Sequence, residues 1–141
     1  MDFLTEELIV QKSSQELTAL LYEGLVTYLN DATRQIEQND LFQANKSLQR
    51  AGDIVYRLGV GLRYEAGMIA ENLDTIYNFL AEELIRANIT KNIESISFLI
   101  QIVDTLSTAW NEAIQMKQNV TADSLLMKVS AYENSVMRKK F

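Results

Sequence analysis

Residues 93–114 read IESISFLIQIVDTLSTAWNEAI, and this stretch sets the fold class. One stripe runs Ile93, Ile96, Ile100, Val103, Trp110 and Ile114 with Ser107 between, at the alternating three and four spacing of a buried helix face. A second stripe, Leu99, Ile102, Leu106, Ala109 and Ala113 with Phe98 beside it, lies next to the first. An outer helix of a small bundle needs only one such stripe. Two adjacent ones predict that a fifth helix, a second subunit or another protein covers part of this element.

Working outward, 141 residues suit one domain with a real core, and no proline with 48% hydrophobic residues favours long uninterrupted helices. The second helix carries Leu41, Ala44, Leu48, Ala51, Val55, Leu58 and Leu62, two interleaved seven-residue repeats that form an antiparallel packing seam. Asn39-Asp40 predicts the tight turn and N-cap ahead of it. Gly59, Gly61 and Gly67 weaken helix around Leu62–Ala66 and predict the longest connection. A third helix starts at Met68 and runs through Ile69, Leu73, Ile76, Leu80, Leu84 and Ala87 with Tyr77 flanking, yielding at 88–92.

Ser13 and Glu16 have capping-box spacing, which predicts that the first helix begins there and presents Leu17, Leu20, Leu21, Gly24, Leu25, Tyr28, Leu29, Ala32 and Ile36 to the core. Gly24, costing roughly 1 kcal/mol of helix propensity, points to close approach by another helix. Residues 1–12 then form a separate segment whose apolar edge, Phe3, Leu4, Leu8 and Ile9, suits a removable cover over a groove. After 115–119 the chain restarts at Thr121 in a helix with Leu125, Val129, Tyr132 and Val136 as its seam. The expected architecture is an all-α, antiparallel up-down four-helix bundle over 13–118, with a short N-terminal segment (1–12) and an additional C-terminal helix with a basic tail (119–141).

Charge and chemistry narrow the function. The net charge of −6 disfavours a nucleic-acid surface, and no apolar run approaches the ~20 residues of a membrane span. The acidic start lacks the order of a signal peptide, and with no cysteine the chain fits the cytoplasm. With no histidine there is no phosphotransfer histidine, no Ser-His nucleophile and no Glu-x-x-His metal pair. Neighbouring acids such as Glu82-Glu83 point about 100° apart on a helix and make no acid and base pair. The reading is a non-enzyme with no cofactor and no metal.

Four segments in register carry a family resemblance. They are SSQELTALLYEG at 13–24, with Leu21-Tyr22-Glu23-Gly24; Gly67-Met68-Ile69-Ala70-Glu71-Asn72-Leu73 with Ile76-Tyr77-Asn78-Phe79; Arg86–Asn92; and Ala109–Ile114 around Trp110. Over about residues 13–116 the chain resembles the flagellin-specific export chaperones, the FliS family, though with Ala66-Gly67 where that family tends to show Gly-Gly and a shorter lead before the first helix. The resemblance implies a cytoplasmic chaperone that binds the disordered C-terminal region of flagellin, prevents premature polymerisation and delivers it to the flagellar export apparatus. Surplus apolar helix surface agrees, since it can receive amphipathic client segments. Client-binding residues are then expected at Phe3, Leu4, Leu8, Ile9, Tyr22, Ile69, Asn72, Leu73, Tyr77, Phe98, Leu99, Ile102 and Leu106. The competing reading is a homodimeric helical bundle of structural or regulatory role, in which a second copy covers the same surface.

Overall fold

The computed structural model describes the backbone of residues 3–62 and 68–140 and the side chains of residues 14–62 and 70–116. Four helices follow in order: α1 (Phe3–Glu37), α2 (Leu41–Gly61), α3 (Met68–Thr90) and α4 (Ile93–Lys140). The chain divides into two compact units, Met1–Ser107 and Thr108–Phe141.

In the first unit, α1 packs on α2 and α2 on α3. Gln35 late in α1 accepts a hydrogen bond from Ser47 early in α2 (2.7 Å), while Gly24 lies against Ile54. Partner numbers on α2 thus rise as those on α1 fall, so the two helices are antiparallel. A Cβ at Gly24 would come within 3.3 Å of Ile54 Cδ1, and glycine here lets the helices approach. Asn88 at the end of α3 donates to Asn45 at the start of α2 (2.7 Å), which makes that pair antiparallel too.

Helix ends follow from local chemistry. Asn39 sits in the left-handed region (φ 59°), with its N–H bonded to the Ile36 carbonyl and that of Asp40 to the Gln35 carbonyl. This is the Schellman ending, in which asparagine is a tolerated substitute for glycine. The Asp40 carboxylate then accepts from the Gln43 N–H and caps α2. At the other tight turn Lys91 is left-handed (φ 54°), bonds the Ala87 carbonyl through its N–H, and turns its ammonium onto the Asn88 backbone and side-chain oxygens. Asn92 caps α4 through the N–H groups of Glu94 and Ser95.

The core follows the middle of the predicted α2 seam, with Ala44, Leu48, Ala51, Val55 and Leu58 buried, whereas Leu41 at its start is exposed and Leu62 at its end half-buried; the predicted starts of α2, α3 and α4 hold. Three expectations need correction. The first helix does not begin at Ser13: α1 runs unbroken from Phe3, so the capping-box pair lies inside a helix and residues 3–12 continue α1. The α1 core face is Tyr22, Leu25, Leu29 and Ala32, while Leu17 and Leu20 are exposed. The chain also shows no break at 115–121, because α4 is helical to Lys140. The docking of the expected C-terminal helix, with Leu125, Val129, Tyr132 and Val136, lies outside the described side chains.

On α4 the buried line is Ile96, Leu99 and Val103, drawn from both predicted stripes. Ile100, Ile102 and Leu106 flank it half-buried, and Phe98 is exposed.

Candidate functional site

Among the described residues, the packing leaves an open valley between α2 and α3. Gly52, Val55, Tyr56 and Gly59 from α2 face Ala70, Glu71, Asp74, Tyr77, Asn78 and Ala81 from α3 across a groove of about 570 Å³. Small residues create it. A Cβ built at Gly52 or Gly59 would meet nothing within 4 Å, so the space above both glycines is open.

Tyr77 forms a wall of this valley and is held from behind. Its hydroxyl hydrogen-bonds that of Tyr22 on α1, with the rings 6.4 Å apart and inclined at 53°. Both side chains are buried, and a buried phenol needs such a partner to offset its desolvation.

Beyond the groove lining, the same helix faces carry further exposed apolar residues. Positions 71, 74, 78 and 81 of α3 recur at the spacing of one helix face, and Ile85 and Ile89 continue it. On α2, Tyr56 is two heptads from Phe42, with Gln49 between. Four large side chains on these faces, Phe42 (66% exposed), Tyr56 (74%), Ile85 (63%) and Ile89 (78%), are open to solvent. Lys46 Nζ stands 4.6 Å over the Phe42 ring, and Glu71 and Asp74 line the groove.

The expected site residues separate into three groups. Tyr22, Leu73, Tyr77 and Leu99 are buried: all four pack the interior of the first unit, and Tyr77 alone among them also lines the valley. Asn72 and Phe98 are exposed, and Ile102 and Leu106 are half-buried beside Phe98 on α4. Phe3, Leu4, Leu8, Ile9 and Ile69 lie outside the described side chains. The groove residues Gly52, Tyr56 and Gly59, and the exposed Phe42, Ile85 and Ile89, escaped the sequence reading. Their signal was present in two features: a glycine pair spaced by seven inside the α2 repeat, and isoleucines at i and i+4 that fall off the α3 seam.

Among the described residues no three of His, Cys, Asp and Glu converge as a metal site, no helix is long and apolar enough to cross a membrane, and no buried side-chain polar atom lacks a partner. Fold and site together define a four-helix, all-α protein with an open groove between two of its helices. The family model described as flagellar protein FliS matches residues 5–117, and the chain belongs to that family. Among its relatives is the flagellar secretion chaperone FliS of Bacillus subtilis, 27% identical over 103 residues (73% of this chain, 77% of the relative). The protein of the same name from Salmonella typhimurium is 27% identical over 109 residues (76% and 81%), and that of Campylobacter jejuni 30% over 102 residues (72% and 80%).

Proposed function

We propose that this protein is a cytoplasmic flagellar secretion chaperone that binds the disordered C-terminal region of flagellin, keeps it from polymerising and hands it to the flagellar export apparatus. The observation that carries the reading is the open groove between α2 and α3, floored by glycine and lined in part by Val55, Tyr56, Val60 and Tyr77, in a chain of the FliS family. Family membership supports the client class. The valley supports the mode, since surface withheld from the chain's own core is what an amphipathic segment needs in order to bury its apolar face.

A second contact area is the α4 strip of Phe98, Ile102 and Leu106, which with Asn72 remains from the expected client residues once the buried ones are assigned to packing. The client then lies across an up-down bundle, in the valley and on the α4 strip. It would bury on the order of 1,000 to 3,000 Å² and offset about 2 to 5 kcal/mol of ordering, so that binding is tight yet reversible.

The test is the mass in solution with and without a flagellin C-terminal peptide. A monomer forming a 1:1 complex is the expected result. A peptide-indifferent dimer, with Tyr56 and Ile85 protected from solvent in the dimer, assigns the valley to a second copy and rejects the chaperone reading.

A further inference from the structure

We infer that the exposed face shared by α1 and α2, on the side of α2 away from the groove, docks an acidic amphipathic helix of a protein other than the client. The juxtaposition behind this is a row of uncommitted cations, Lys46, Arg50 and Arg57, beside two leucines that the core leaves uncovered, Leu17 and Leu20. The inference does not rest on the identity of the client.

The face is located by the contacts between the two helices. Ser47 bonds Gln35 and Ile54 lies against Gly24, so these two α2 residues point at α1. Arg50 and Arg57 follow them by three residues each and border the same crevice on its outer side. Gly52 and Gly59, which floor the groove, come two residues after the arginines, about 200° round the helix. On α1, Leu17 and Leu20 precede Gly24 by seven and four residues and so share its side of the helix. Because α1 and α2 are antiparallel, Leu20 comes level with the turn that holds Arg57. Both leucines are open to solvent, at 56% and 61%.

The chemistry of the occupant follows from charge. The described cations are Arg34, Lys46, Arg50, Arg57, Arg86 and Lys91. Arg34 and Arg86 pair with Asp31 and Glu83, and Lys91 bonds the Asn88 oxygens. The other three enter no ion pair among the described residues, and all three lie exposed on α2. Spaced four and seven apart, they fall within an arc of about 40° and span about 16 Å. With Asp53 as its only acid, α2 carries a net +2 in a chain of net −6. A row of cations left without counter-charges in an acidic chain fits carboxylates supplied from outside.

The occupant's form follows from what surrounds the row. Both walls are helices whose backbone groups are already used internally, so an extended segment would find no edge to pair with, whereas a helix satisfies its own backbone. Exposed Glu16 and Glu23 stand on α1 near the leucines. A nucleic-acid strand or an anionic bilayer brings unbroken negative charge against those carboxylates as well as against the cations. A helix can put carboxylates on the row and apolar residues on Leu17 and Leu20 alone. The row and one further turn for the leucines make about 22 Å, or roughly 15 residues of helix.

The experiment uses the full chain and three synthetic helical peptides of about 18 residues, or five turns. One carries glutamates along a single face with leucines at one end of that face. The second is a scramble of the same composition, and the third has lysine in place of glutamate. The single-face peptide should bind at least about tenfold more tightly than either control at low salt. Arg50→Glu with Arg57→Glu, both exposed, should keep the parent melt and lose roughly tenfold or more of that affinity, a loss that shrinks at about 0.5 M salt. Leu17→Ser with Leu20→Ser should weaken the same peptide by roughly threefold or more, and this loss should persist in salt. Binding of a flagellin C-terminal peptide should be unchanged in the arginine variant. Equal affinity for the scrambled peptide, or unchanged affinity in the arginine variant, overturns the inference. Displacement of the peptide by a DNA duplex or phosphatidylglycerol vesicles at matching charge overturns it in favour of a general polyanion site. Weakened flagellin binding in the arginine variant overturns it in favour of a client contact, and a dimer of the parent that this variant abolishes assigns the face to a second copy instead.

Discussion

Replacing both Gly52 and Gly59 by alanine tests whether the valley exists for an occupant, because it moves stability and binding in opposite directions. In the free chain each new Cβ enters open space, with no atom within 4 Å to resist it. Alanine is favoured over glycine inside a helix by roughly 1 kcal/mol, less at Gly59 because α2 ends two residues later. The variant should gain about 1 to 2 kcal/mol and melt several degrees higher. With a helix seated over the glycines, the same two methyl groups fall into a packed interface, where overfilling costs about 1 to 3 kcal/mol. That corresponds to roughly a fivefold to hundredfold loss of affinity. Calorimetric titration with a flagellin C-terminal peptide, alongside thermal melts followed by far-ultraviolet dichroism, reads both effects on one sample. A variant that is stabilised yet binds as before would refute the placement of the client in this valley. A destabilised variant would show that the space above the glycines is not open in solution.

Three further outcomes are expected. Val103 is fully buried on α4, so Val103→Asp places an unpaired carboxylate in the core and costs several kcal/mol; a melt matching the parent would put that face outside. Phe98 is exposed and Ile102 half-buried, so changing both to Ser should leave the melt nearly intact while weakening the flagellin peptide more than tenfold, about 1.4 kcal/mol; lost stability with unchanged binding would assign the strip to packing. Deleting residues 1–12 should leave a folded chain whose α1 restarts at the Ser13 and Glu16 capping pair, and where Phe3, Leu4, Leu8 and Ile9 cover apolar surface it should tighten peptide binding by roughly tenfold to a hundredfold; weaker binding would make the lead part of the client platform.

Much of the bundle was legible because its signals are local. Asp40 caps α2 through its own third neighbour, and the α2 seam repeats every seven residues, so a short window contains the whole argument. The start of α1 was misread for a related reason. A Ser and a Glu three apart can cap a helix, but when the chain before them is also helical the same pair is merely two polar residues along it. Tyr22 and Tyr77 illustrate the larger obstacle. Each alone resembles an amphipathic surface residue with a polar tip, and only the meeting of two hydroxyls from residues 55 apart makes burial of both tolerable. The valley is likewise non-local. Gly59 reads as a helix weakener until α3 is laid beside α2, whereupon it becomes the floor of a space.

The side-chain ties among the first three helices lie both near the tight turns and at the Tyr22–Tyr77 pair. Gln35 with Ser47 and Asn45 with Asn88 join α1 to α2 and α2 to α3 near the two tight turns. A slip of either pair by one turn, about 5.4 Å, would strand a half-buried amide with no partner. Farther along, the Tyr22 and Tyr77 hydroxyls tie α1 directly to α3 behind the groove. The groove wall at Tyr77 is therefore braced from α1, just as the far end of α3 is braced from α2 at Asn45. A client side chain too bulky for the groove must then adjust its own rotamer, because the wall that it presses on is held from behind.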